Sequence, residues 1–130
     1  MSIITNDREG YYNGWLLPLW HVDDGEQIDQ VYLTVVEPGM SKGPHLHHRR
    51  RGRFTCVKGN VLIVLREQGG YRELWSGEDH HFAVVRVPPG IPAAIYNGGL
   101  DHAYVLNMPS PPWRPDEDDE NSVSDWDYAP

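Results

Sequence analysis

The sequence predicts an all-β domain built as a sandwich or barrel, and three observations carry that expectation. Proline and glycine punctuate the chain at short intervals, as in Pro38-Gly39, Gly43-Pro44, Gly59-Asn60, Gly69-Gly70, Pro88-Pro89-Gly90 and Gly98-Gly99. The stretches between them are short and rich in β-branched and aromatic residues. Helical periodicity is absent from them. Short strands at such spacing, separated by turn residues, belong to sandwiches and barrels.

Taken in chain order, strands are expected over residues 15–22, 30–36, 53–57, 61–66, 71–75, 82–87, 93–96 and 103–106. Trp15-Leu16-Leu17 opens the first, and Val31-Tyr32-Leu33-Thr34-Val35-Val36 makes the second. Phe54-Thr55-Cys56-Val57 and the apolar run Val61-Leu62-Ile63-Val64-Leu65 flank Gly59-Asn60, which reads as the tight turn of a hairpin. Tyr71 to Trp75, Val84-Val85, Ala93 to Tyr96 and Ala103 to Leu106 complete the series. Residues 1–108 are thus expected to form the barrel. Residues 109–130 read as a Pro-rich acidic tail that packs on the barrel or on a partner subunit, anchored by Trp113, Trp126 and Tyr128.

At 130 residues the chain holds one domain. Its longest strictly apolar run, Val61–Leu65, is far short of the roughly 20 residues of a membrane helix. The beginning, MSIITNDREG, has neither the basic start nor the apolar stretch of a signal peptide. A lone cysteine, Cys56, leaves no internal disulfide, and its place among apolar residues makes it a small buried hydrophobe. A cytoplasmic protein with no membrane contact is expected. The net charge of −8 argues against nucleic acid as a partner. The positive charge is concentrated, however: Lys42, Arg49, Arg50, Arg51, Arg53 and Lys58 lie within 17 residues that contain no acid. Such an island suits a small anionic ligand. The acids gather in the tail, from Asp116, Glu117, Asp118, Asp119 and Glu120 to Asp125 and Asp127, and read there as solvated surface.

Two segments carry a pattern with chemical content. Gly39, His45, His47, position 52 and Gly59 stand at the spacing G-x5-H-x-H-x4-E-x6-G, and Pro88, Gly90, position 93 and Asn97 at P-x-G-x2-H-x3-N. These resemble the paired motifs of the cupin superfamily. The resemblance covers roughly residues 30–107 and implies a jelly-roll barrel with His45 and His47 facing inward. In metal-binding cupins a glutamate and a second-motif histidine complete the metal shell, but this chain has Gly52 and Ala93 at those places. Two imidazoles fall short of the three protein ligands usual for catalytic zinc or non-haem iron. No cofactor is expected, and a metal, if bound at all, would sit on His45 and His47.

A branch of cupins dispenses with metal and uses barrel histidines for acid–base chemistry on sugar nucleotides. Lys42-Gly43-Pro44-His45-Leu46-His47 is similar to the basic-Gly-x-His motifs of dTDP-sugar 3,4-ketoisomerases and dTDP-4-dehydrorhamnose 3,5-epimerases. Cys56-Val57-Lys58-Gly59-Asn60-Val61 and the Pro-rich, Trp-containing end of the chain also resemble the epimerases. The resemblance implies an isomerase that acts on a dTDP-linked 4-keto-6-deoxy sugar, with His45 as base. Two residues of that family are missing: its site lysine is replaced by Gly52, and no tyrosine occurs in the stretch 107–113 that matches its general acid.

The residue types suit the chemistry. A proton α to a ketone needs a base with a pKa near working pH, which imidazole supplies. His45 and His47 lie about 7 Å apart along one strand face and can address adjacent carbons. Tyr104 is the candidate for the missing acid, with Tyr96 beside it. Lys42, Arg51 and Arg53 are candidates to grip the diphosphate, while Arg49 and Arg50 are expected in solvent. Asn97, from the second motif, and Trp113, which can stack on a base or sugar, complete the substrate-binding set. A homodimer is expected from the N-terminal strands and the aromatic tail. Two alternatives are a metal-dependent, dioxygenase-like cupin and a non-catalytic sugar- or nucleotide-binding cupin.

Overall fold

The computed structural model describes residues 2–116 and 119–130, so Glu117 and Asp118 of the acidic run lie outside the described residues. The described residues form eleven strands: β1 (Ile3–Asn6), β2 (Tyr12–Leu16), β3 (Tyr32–Val36), β4 (Ser41–His47), β5 (Gly52–Lys58), β6 (Asn60–Glu67), β7 (Gly70–Gly77), β8 (Val84–Val87), β9 (Ala93–Tyr96), β10 (Ala103–Asn107) and β11 (Glu120–Ser122). Two single 3₁₀ turns, Val22–Asp24 and Glu78–His80, are their helical pieces. No helix among the described residues is long and apolar enough to cross a membrane.

Two sheets face each other as a jelly roll. One has the order β3-β10-β5-β8 and the other β11-β4-β9-β6-β7, while β1 and β2 form a separate antiparallel ribbon. Alternation explains the core. Val36 and Val105 point inward from the first sheet, Val61, Ile63, Leu65 and Ile95 from the second, and all are buried in one cluster with Cys56 and Val85. On β3 the odd residues Leu33 and Val35 face outward and are exposed, while Tyr32, Thr34 and Val36 are not.

Each of the eight expected strands has a counterpart, with shifted ends whose causes are local. The first stops at Leu16 because Pro18 has no N–H to donate to a ladder. Residues 82 and 83 are lost from the sixth because Phe82 has a φ of +50°, outside strand geometry. Gly59-Asn60 does not close a hairpin. Gly59 takes the expected positive φ of +75°, but β5 and β6 belong to opposite sheets, so the chain turns a corner there. Its polar groups are met by the 3₁₀ turn, where the Gly59 amide donates to Glu78 (3.0 Å) and the Asn60 side chain to Asp79 (2.9 Å). The hairpin instead joins β6 to β7 through Gln68-Gly69, with Glu67 opposite Gly70. Two strands lie where the sequence indicates breaks or surface. β4 runs through Gly43-Pro44, with an irregular register between Lys42 and His45. β11 arises within the acidic tail.

Candidate functional site

Register brings the principal groups together. In the antiparallel pair of β11 and β4, Glu120 stands opposite His47, and Ser122 opposite His45. Residues directly opposite share a face, and positions i and i+2 of one strand share it too, so His45, His47 and Glu120 converge. Glu120 Oε1 lies 3.2 Å from His45 Nδ1 and 3.5 Å from His47 Nε2. The two rings are 6.4 Å apart at an interplanar angle of 70°.

The three line a cavity of about 260 Å³ between the sheets. Tyr32, Thr34, Phe54 and Asn107 wall it on the first sheet, and Ile63, Ala93 and Ile95 on the second. Lys42 and Arg50 bring positive charge to it. Arg50 Nη2 lies 2.6 Å from His47 Nε2. A guanidinium only donates, so this His47 nitrogen is the acceptor and its ring proton sits on Nδ1. Burial, reinforced by the Arg50 charge, pushes the His47 pKa below its usual 6.5 against the opposing pull of Glu120 and Asp119. A neutral His47 is therefore no ion-pair partner of Glu120 despite their 3.5 Å separation. Glu120 Oε1 faces the Nδ1 side of the His45 ring and not Nε2.

Position 52 shows why the barrel lacks a carboxylate there. A Cβ on Gly52 would collide with the Phe54 ring, which fills the space a longer side chain needs. Ala93, opposite His45, offers only a methyl group. Among the described residues, no group of three or more His, Cys, Asp or Glu side chains is arranged to hold a metal ion. The geometry says why: the lone pair that His47 would offer a cation already accepts from a cationic guanidinium.

Of the residues marked in sequence, Lys42, His45 and His47 share the cavity. The others are placed elsewhere. Arg53 is 6% exposed and turned to the outer side of β5, where it meets Glu26 at 2.9 Å and donates to the Leu19 carbonyl. Its alternation is as read, but residues 19–26 cover that face. Arg51 donates to the Gln27 carbonyl on the same outer side. Tyr104 faces outward, 42% exposed, because Ala103, Val105 and Asn107 take the inner positions of β10. Asn97 is buried and ties a turn, donating to the Val36 and Asp101 carbonyls and accepting from the Gly99 amide. Tyr96 accepts from Trp126 and is absent from the cavity wall. Trp113 borders a second hollow at the cavity mouth with Gln30, Tyr32, Arg50 and Glu120.

Sequence reasoning missed Arg50, Glu120 and Asp119. Arg50 was expected in solvent and the acids as solvated surface, yet the Asp119 side chain is nearly buried and accepts from the backbone amides of His48, Arg49 and Arg50 at 3.0–3.3 Å. Burial alone would raise its carboxyl pKa. The three amides outweigh that and hold it below the ordinary 3.8. A charged carboxylate facing a tight turn of bare amides is a recognisable capping pattern, but 69 to 71 residues separate the partners, so no local signal announces it.

The profile of the family described as "Polysaccharide biosynthesis C-terminal domain" matches residues 14–120. The capsular polysaccharide assembling protein CapF of Staphylococcus aureus is 26% identical, with a TM-score of 0.66 over 72% of this chain and 26% of its own. This chain thus spans about a quarter of that protein. A dTDP sugar isomerase from Desulfovibrio desulfuricans G20 is 20% identical and superposes with a TM-score of 0.75 over 91% of this chain and 78% of its own. ChmJ, a 3'-monoepimerase from Streptomyces bikiniensis in complex with dTDP-quinovose, is 19% identical, with a TM-score of 0.72 over 94% and 66%. These likenesses establish the epimerase-like cupin fold. No curated protein matches significantly.

Asp119→Ala is expected to cost about 1 kcal/mol at pH 7, the usual loss when a side chain that caps part-buried backbone amides is removed. Because the folded carboxyl pKa is depressed, its contribution is present above the ordinary 3.8 and is lost as pH falls through the folded value. Urea unfolding of both proteins from pH 7 to pH 3 should show the gap narrowing at the acid end; a constant gap excludes this role.

Proposed function

Since the chain belongs to the polysaccharide biosynthesis C-terminal domain family, we propose that its cavity takes a nucleotide-linked 4-keto-6-deoxy sugar and isomerises it through proton abstraction α to the ketone. The observation that carries this is the His45–Glu120 pair at 3.2 Å on the wall of the cavity. With Nδ1 turned toward the carboxylate, Nε2 is the basic nitrogen, and Glu120 stabilises the imidazolium that forms when it takes the proton. Charge that develops on the carbonyl oxygen is met by Lys42 on the cavity wall. His47 positions the Arg50 guanidinium rather than acting as second base, because its Nε2 lone pair is engaged there. The diphosphate grip falls to Arg50 instead of Arg51 and Arg53, with Trp113 at the mouth beside it. The dTDP sugar isomerase and the monoepimerase bound to dTDP-quinovose, which share the fold, support dTDP as the carrier.

Incubation with dTDP-4-keto-6-deoxyglucose in deuterated water should place deuterium α to the ketone. His45→Ala should abolish that exchange, and Glu120→Gln should slow it by about 10²-fold, within the range for general acid–base catalysis. Nucleotide binding without exchange would replace this function with that of a non-catalytic sugar or nucleotide sensor.

We expect the barrel to work without a resident metal, since Arg50 holds the His47 lone pair. Elemental analysis of protein purified without chelators should give well under one iron, manganese or zinc per chain; one equivalent would favour a metal-dependent cupin.

A homodimer is proposed on the exposed apolar residues Ile3, Ile4, Trp15 and Leu16 of the ribbon and Val31, Leu33 and Val35 along the edge strand β3. Sedimentation equilibrium should return twice 14.9 kDa. A concentration-independent monomer rules the dimer out.

A further inference from the structure

An epimerase needs two groups, because inversion of a carbon requires its proton to leave from one face and return on the other. His45 belongs to β4 of one sheet, and the wall opposite is the other sheet, β3-β10-β5-β8. Five of the chain's seven tyrosines have no place on the cavity wall for evident reasons. Tyr11 and Tyr12 are exposed on or beside the ribbon, Tyr104 faces outward, and Tyr71 and Tyr128 pack with Trp126. Tyr96 accepts from Trp126 outside the cavity. Tyr32 remains, and it lines both the cavity and the hollow at its mouth.

The hydrogen bonds around Tyr32 set the direction of its proton. Asn107 stands opposite Tyr32 in the pairing of β10 with β3 and is 2% exposed. Its Oδ1 accepts from the Arg53 backbone amide at 3.0 Å, a donor that cannot reverse. This fixes the amide group, so Nδ2 must face the Tyr32 hydroxyl, 2.8 Å away, and donate to it. The phenol oxygen is thus an acceptor toward the protein, and its own O–H is left to donate toward the cavity. The same Asn107 donor stabilises the tyrosinate that remains once the proton has gone.

On the epimerase reading above, we propose that Tyr32 is the acid that returns a proton to the substrate from the face opposite His45. The step balances. His45 Nε2 takes the α proton, and the C–H electrons pass into the enolate. As the ketone re-forms, those electrons make a new C–H bond to the proton of the Tyr32 hydroxyl. The imidazolium then gives its proton to solvent, and the tyrosinate takes one from it. Tyr32 therefore fills from β3 the role that Tyr104 does not.

The test separates the two halves of the reaction. Wild-type protein and Tyr32→Phe are incubated with dTDP-4-keto-6-deoxyglucose in deuterated water, and deuterium incorporation and inverted product are followed by mass and NMR. Abstraction by His45 with return from the same imidazolium gives exchange without inversion. Tyr32→Phe should keep exchange within a few-fold of wild type while inverted product falls by about 10²-fold or more. Retained exchange also reports that the variant is folded and binds substrate. Unchanged inversion in Tyr32→Phe overturns the assignment and leaves the His45 reading standing. Loss of exchange together with inversion overturns it too, since Tyr32 then serves the first step or the fold. Wild-type protein that exchanges without inverting also refutes it, and wild-type protein with no exchange removes the epimerase reading and this role with it.

Discussion

The Asp119 carboxylate, set against the backbone amides of His48, Arg49 and Arg50, is the contact on which the site depends. Those amides leave β4 just after His47, where the chain turns toward β5. Three donors pointing one way with no ladder partner need an acceptor, and one charged carboxylate serves all three. Because Glu120 is the next residue, its position follows from that of Asp119. It enters β11 opposite His47, and its side chain reaches His45. The same bonds fix the backbone of Arg50, whose guanidinium turns inward to His47 rather than out to solvent.

Around this contact the tail is held by several weaker ones. Arg66 pairs with Asp125 at 2.9 Å, Tyr71 donates to Asp127, and Tyr128 to Glu73. Each is exposed and contributes little by itself. The rings of Trp126 and Tyr128 add apolar contact with Tyr71 and Tyr96, and Trp126 Nε1 donates to the Tyr96 hydroxyl. Asp119, Asp125 and Asp127 are therefore matched to specific donors on the barrel, a different role from that of a solvated charge run.

The cavity itself reflects substitution in space. Phe54 takes the volume beside Gly52, and Ala93 leaves a methyl facing His45, so that part of the barrel is apolar where a carboxylate and an imidazole would otherwise stand. Polarity is restored from other elements: Glu120 comes from the tail and Arg50 from the turn after β4. The opposite wall carries Tyr32 and Asn107, fixed in turn by the Arg53 amide. Arg53 thereby serves the site through its backbone, while its side chain is buried under residues 19–26 in contact with Glu26.

The all-β class and eight of the strands were legible because they rest on local signals: turn residues and β-branched runs. Cys56 as a buried hydrophobe was legible for the same reason. A two-residue period put His45 and His47 on one face, and the resemblance to cupins implied that this face looks inward. The corner at Gly59-Asn60 was not legible, since a glycine turn looks alike whether the next strand returns beside the last or crosses to another sheet. Glu120 and Tyr32 were not legible as site residues either. Each reaches the cavity through pairing with a strand far along the chain, β4 for one and β10 for the other. Alternation tells which residues share a face of one strand, and that much the sequence determined. Which face looks into the cavity, and which distant carboxylate or hydroxyl stands across from a histidine, depends on strand order and register, which only the assembled sheets decide.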